Sequence, residues 1–160
     1  MSDTHRHNIN WRDIAIHNDK MIKGFFGQYA WLSNFYQCVT VEGYPTVENG
    51  YMASKVKARD RIVFKSYSPF EAKALWRFYE PIDKCAGDWE ERKVSVMKYF
   101  LEQKFDKVLN PHLWQKLQDT GNKELIEGNY WGDVFWGVCH LRGGQNMLGE
   151  LLMEIRGETK

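Results

Sequence analysis

Residues 88–105, DWEERKVSVMKYFLEQKF, limit what this chain can fold into more than any other stretch. Asp88 and Glu91 have the spacing of a helix N-cap and its reciprocal partner. Val94, Met97, Leu101 and Phe105 then recur at three- and four-residue intervals, which makes one stripe of a helix apolar. Such a helix must bury that stripe against other elements. SPFE (68–71) predicts a second start, with Ser68 as cap, Pro69 in the first turn and Glu71 closing a capping box. Asn110-Pro111 opens a short helix ending near Gly121, and a last helix follows Asn146 and stops at Gly157. Strand signals are fewer. They are the start of MIKGFFGQYAWLSNFY (21–36), QCVTVEG (37–43), which alternates and runs into a turn at Gly43, and KELIEG (123–128). The expected fold is α+β, a single compact domain with more helix than strand. Residues 1–20 read as a polar N-terminal extension that docks through Trp11, Ile14 and Ile16, and residues 21–160 as the domain proper.

Composition removes several function classes. With 43% apolar residues, the 160-residue chain can bury a real core. Lys and Arg number 22 against 21 Asp and Glu, so bulk charge does not hold this protein on nucleic acid, although a local basic patch stays open. Cys38, Cys85 and Cys139 are odd in number and lack CxxC spacing, which argues against a disulfide framework or a structural zinc site. No metal and no cofactor is expected. No apolar run reaches membrane length, and the N-terminus lacks the apolar core of a secretory signal. A cytoplasmic protein without membrane contact is the expectation.

The chemistry concentrates in two places. In TVENGYMASKVKA (46–58), Pro45 and Thr46 precede a helix in which Glu48 and Lys55 stand seven residues apart. Seven residues is nearly two turns, so both side chains leave the same face. They are too far apart for the usual i,i+4 ion pair. Two readings stay open: a solvated face continuing into Lys57, Arg59 and Arg61, or an acid and an amine flanking something about a sugar wide. Gly50 inside that helix costs roughly 1 kcal/mol relative to Ala, so close packing or a ligand should explain it. The second place is EGNYWGDVFWGVCHLRGGQNMLGELLMEIR (127–156). RGGQN runs into a helix N-terminus, where free amides and the helix dipole suit a phosphate, with Asn146 as cap and Arg142 as counter-charge. A plain turn is the alternative. Asp133 in YWGD is a loop carboxylate, by residue type a turn former.

SNF (33–35), the Glu48–Lys55 spacing, SPFEAK with Arg77, DWEERKVSVM, NYWGD and GGQNMLGELLMEIR occur in the order of the NADAR (YbiA-like) superfamily. The chain resembles that family over roughly residues 24–157. The resemblance implies an α+β catalytic domain acting on ribose-containing ligands related to NAD and ADP-ribose, by hydrolysis of N-glycosidic bonds. It implies Glu48 as general acid/base and Lys55 as nucleophile, through a Schiff base with opened ribose, or as an electrostatic clamp. Tyr51 and Met52 would share their face. Asp133 would be the second carboxylate or bind the ribose diol. Asn34 would hydrogen-bond ribose or base, Phe35 would wall the pocket, and Trp89 would stack on the leaving base. Trp131 and Gly132 would shape the wall beside Asp133. Gly144, Asn146 and Gly149 would hold phosphate, with Arg77 pairing to it.

Two positions depart from the family pattern. Asn49 stands where a His commonly follows the motif Glu, and Trp76 stands where a Gly often precedes the Arg. The expected function is removal of ADP-ribose from modified guanine, with ADP-ribosylated nucleic acid as a possible substrate. The alternatives are hydrolysis of phosphoribosylamino-pyrimidine intermediates of riboflavin synthesis, and a non-catalytic NAD or ADP-ribose sensor.

Overall fold

The computed structural model describes residues 10–79 and 88–158, and Cys85 lies outside them. Helix predominates over strand. The chain folds as two units, one of Met1–Ser33 with Leu117–Lys160 and the other of Asn34–Lys116.

In the first unit, Asn10 caps α1 (Trp11–Ile14), its side chain accepting from Arg12 N while Asp13 accepts from Asn10 N. β1 (Ile16–His17) pairs antiparallel with β2 (Met21–Lys23), and β2 pairs parallel with β3 (Glu124–Ile126), Ile22 opposite Leu125. A parallel pair needs a crossover between its strands. Here the whole second unit is inserted in it. β4 (Gly128–Asn129) pairs with β5 (Val138–Cys139), and α6 (Met147–Glu158) follows. Leu148, Leu151, Leu152 and Ile155 of α6 are buried, as is Leu125 on β3, against which α6 packs. Arg156 is buried too; its Nη1 donates to Thr120 Oγ1 at 2.8 Å and to the Lys123 carbonyl at 2.9 Å.

In the second unit, Thr46 caps α2 (Val47–Ala53) and Ser68 caps α3 (Pro69–Leu75) with the expected box. A 3-10 stretch, Ala58–Lys65, lies between them, and another, Trp76–Phe78, follows α3. α4 (Trp89–Lys104) carries the predicted stripe, with Met97, Leu101 and the C-cap Phe105 buried and Val94 only partly so. Asp88 does not cap with its side chain, which pairs instead with Arg92 at 3.1 Å. α5 (Pro111–Asp119) leads the chain back to the first unit. Gly50 is explained by packing: a Cβ there would lie 2.5 Å from Phe100 Cε1.

The strand expected at 37–43 does not form; only Gln37 bridges, to Thr46. Side chains take the place of a partner strand. Asn110 accepts from Val39 N at 2.9 Å and donates to the Val39 carbonyl, and Gln103 accepts from Val41 N at 2.7 Å. Lys104, at the end of α4, is fully buried, its ammonium 5.2 Å from the Phe105 ring centre and 5.8 Å from that of Tyr36.

Candidate active site

α2 does not extend to Lys55, as the seven-residue spacing had suggested. Ser54 is the C-cap, its hydroxyl donating to the Gly50 carbonyl, and Lys55 N donates to the Met52 carbonyl in a tightened turn. The amine nevertheless remains on the Tyr51 side. Its Nζ lies 4.5 Å from the Trp76 ring centre, 5.0 Å from that of Tyr51 and 5.6 Å from that of Trp89. Tyr51 and Trp89 are both buried, with ring centres 5.2 Å apart. Ring faces replace part of the water around this ammonium, and each attracts it through its quadrupole.

Glu48 sits in the first turn of α2 with only 5% of its surface exposed. Its N–H donates to the Asn34 carbonyl at 3.1 Å, which ties SNF to the start of the helix. Asn34 is itself buried. Its Nδ2 donates to Met97 Sδ at 3.4 Å, while its Oδ1 is buried without a hydrogen-bond donor. A buried orphan acceptor is costly unless a ligand supplies a hydroxyl or N–H.

Asn49, the departure beside Glu48, has a structural task. It is fully buried, accepts from Thr46 Oγ1 at 2.6 Å, and donates from Nδ2 to the carbonyls of Phe64 (2.8 Å) and Tyr67 (2.7 Å). An amide with two N–H groups serves both carbonyls and fixes the turn from which Glu48 projects. Phe35 packs edge-on to Phe70 at 4.7 Å with Lys73 above it. Arg77 is exposed and makes no ion pair among the described residues.

The remaining predicted residues belong to the first unit. Asp133 Oδ1 accepts from Phe135 N (3.1 Å) and Trp136 N (2.9 Å), and Asn129 brackets its backbone. That is the work of a turn former. Trp131 is exposed, edge-on to Phe26 at 6.3 Å, and Gly132 has φ +91°. The turn before α6 departs from the phosphate expectation. Gln145, Asn146, Met147 and Leu148 donate their amides to the carbonyls of Val134, Gly137, Phe135 and Trp136. Asn146, at φ +55°, does not cap α6 with its side chain, which accepts from Glu127 N and donates to the Leu125 carbonyl. A Cβ on Gly144 would strike the Gly137 carbonyl, and one on Gly149 the Leu125 carbonyl. These three residues serve close backbone packing, and the amides of residues 145–148 are committed to backbone carbonyls.

The second unit thus ties Glu48 to Asn34 through the backbone and gathers Tyr51 and Trp89 around the Lys55 amine. It adds Trp76, which was noted in the sequence only as a departure. No group of three or more His, Cys, Asp or Glu that could hold a metal forms among the described residues. No helix among them is long and apolar enough to cross a membrane.

Fold and site define an α+β protein with a buried carboxylate at the start of one short helix and a ring-caged amine just past its end. Residues 21–160 match the NADAR domain family, and the chain belongs to it. It is 34% identical over 124 residues to N-glycosidase YbiA of Escherichia coli, covering 74% of this chain and 73% of that one. It is 33% identical over 138 residues to riboflavin biosynthesis protein VVA0006 of Vibrio vulnificus, covering 82% of this chain but 36% of the relative. It spans only 20% of riboflavin biosynthesis protein PYRR of Zea mays, at 34% identity. The NMR structure of E. coli YbiA matches with TM-score 0.75 at 28% identity, over 93% of this chain and 90% of that one.

Proposed function

We propose that this protein hydrolyses an N-glycosidic bond between a ribose and a base. The observation that carries the reading is the Lys55 amine held among three aromatic rings just past the end of α2, with buried Glu48 in the first turn of that helix. The N-glycosidase name of the YbiA relative supports it.

In this reading the neutral Lys55 amine attacks C1′. The C1′–N bond breaks, its electron pair stays with the base nitrogen, and Glu48 supplies the proton that nitrogen takes up. The ribose ring then opens: the C1′–O4′ pair moves to O4′, which is protonated as the lysine nitrogen gives up its hydrogen, leaving a Schiff base at C1′. Glu48, now a carboxylate, activates the water that attacks C1′ and releases the sugar. Asn34 Oδ1, buried without a donor, is suited to a ribose hydroxyl. The aromatic walls suit the flat leaving base.

ADP-ribosylated guanine is the first substrate class we propose. The chain matches the YbiA N-glycosidase over 73% of its length, against 36% and 20% of the riboflavin proteins. The names of those longer relatives favour a second reading, hydrolysis of ribosylamino-pyrimidine phosphates. One experiment separates them: purified protein is incubated with ADP-ribosylated guanine DNA, the pyrimidine intermediates and NAD, and products are identified by mass. Release of free base with ADP-ribose supports the first reading, and release of ribose phosphate supports the second. Binding of NAD or ADP-ribose without turnover of any of the three would make the protein a sensor.

A further inference from the structure

A second concave site lies in the same unit, on the Gly50 side of α2, roughly 160° around the helix from Glu48. It is a cleft of about 290 Å³ lined by Glu42, Tyr44, Ser54, Arg61, Ser95, Val96, Tyr99 and Phe100. Its floor is aromatic. Phe100 meets Tyr44 edge-on at 5.9 Å and Tyr99 edge-on at 5.1 Å. Its two charges are incompletely used. Glu42 Oε1 accepts from Tyr99 OH, but Oε2 is buried with no donor. Arg61 commits Nε to the Val56 carbonyl at 3.2 Å, and its guanidinium forms no ion pair among the described residues. The two do not neutralise each other although they line one cleft. Ser54 and Ser95 donate their hydroxyl protons to the Gly50 and Arg92 carbonyls, each at 2.9 Å, and so face a ligand only as acceptors.

A carboxylate oxygen buried without a donor costs stability that a ligand N–H can recover. A guanidinium with open Nη groups is a fork for a carboxylate. The volume is at the small end of ligand pockets, far below what a dinucleotide requires. We propose that this cleft binds a small zwitterion of the amino-acid type, its ammonium on Glu42, its carboxylate on Arg61 and its apolar side chain over the Phe100 ring. This site is independent of the glycosidase reading.

The test is titration of the intact protein, followed by amide NMR, with three probes sharing one phenyl group: L-phenylalanine, phenethylamine without the carboxylate, and hydrocinnamate without the ammonium. Phenylalanine is expected to shift the amides of Glu42, Ser54 and Ser95 saturably, and both half-charged analogues to bind at least about tenfold more weakly. Glu42→Gln, which keeps the acceptor for Tyr99, and Arg61→Met should each cost roughly tenfold, as expected when one charge of a desolvated contact is removed. If Arg61→Met disturbs the fold, Glu42→Gln decides alone. No saturable shift up to about 10 mM phenylalanine, equal binding of hydrocinnamate, or unchanged affinity in Glu42→Gln would each overturn the proposal.

Discussion

The Lys55 ammonium lies closer to the centre of the Trp76 ring, at 4.5 Å, than to the ring centres of Tyr51 in α2 or of Trp89. Two opposed effects act on the amine there. Ring faces stabilise the ammonium by up to about 2 kcal/mol each when desolvated, whereas exclusion of water favours the neutral amine. The first suits a clamp and the second a nucleophile.

The roles of Lys55 separate by substitution. Lys55→Arg keeps the charge and loses the amine. For a nucleophile, both Lys55→Arg and Lys55→Ala abolish turnover, and borohydride added during wild-type turnover leaves a sugar-sized adduct mapping to Lys55. An active Arg variant with no trapped adduct would make Lys55 a clamp. A fully active Ala variant would remove Lys55 from the chemistry altogether.

Glu48→Gln keeps the shape of the side chain but neither shuttles a proton nor holds negative charge. Turnover should fall by about 10²–10⁴-fold, with ligand affinity retained and the melting temperature no lower than wild type. Near-normal rates on every substrate cleaved by the wild type would remove Glu48 from the chemistry.

Gly50→Ala should destabilise although Ala is the better helix former. The propensity gain is about 1 kcal/mol, and overpacking against Phe100 costs about 1–3 kcal/mol. Adding Phe100→Leu should recover part of that loss, so a double-mutant cycle by urea unfolding should show favourable coupling. Additive effects would mean that Gly50 does not press on that ring.

Asn49→Ala leaves the Phe64 and Tyr67 carbonyls without their side-chain donor. The expected loss is about 2–4 kcal/mol in denaturant unfolding. Asn49→His, with at most one donor aimed at the pair, should recover only part of it. A neutral Asn49→Ala would refute the stapling role.

Burial pushes the Lys104 ammonium down to about 7. In the unfolded chain a lysine holds its proton to roughly pH 10. Above pH 7 the unfolded state therefore binds more protons, and stability rises with pH. The ceiling is about 5 kcal/mol over the whole interval. The Cys38 thiol, pushed up by burial, has the opposite effect. Above about pH 8.5 the unfolded thiol loses its proton first and stability falls. Urea midpoints should rise between about pH 7 and 8.5 and then flatten, and Lys104→Met should remove the rise. A flat profile in the wild type would show that Lys104 stays charged when folded.

Helix ends were legible because their signals are local. Ser68 with Glu71 forms the box its spacing announced, and Asn110-Pro111 opens α5. What the sequence hid depends on distant contacts. Residues 37–43 alternate like a strand, but their amides are met by Asn110 and Gln103, more than sixty residues away. RGGQN reads alike whether its amides face a phosphate or backbone carbonyls, and carbonyls take those of Arg142 and Gly143 (Cys139), Gln145 (Val134) and Asn146 (Gly137). The amine of Lys55 was placed on the side of Tyr51, but the turn beyond Ala53 that carries it was not. That turn follows from the Ser54 hydroxyl on the Gly50 carbonyl.

The amides of residues 145–148 face the carbonyls of 134–137 across a gap that excludes even a β-carbon at Gly144. The Asp133 loop and the first turn of α6 therefore share one set of bonds and must open together. In deuterated buffer the amides of Gln145, Met147 and Leu148 should exchange as a group, at the rate set by opening of the unit that holds them. A protease cannot nick the backbone between Val134 and Gly137 without first freeing the start of the last helix.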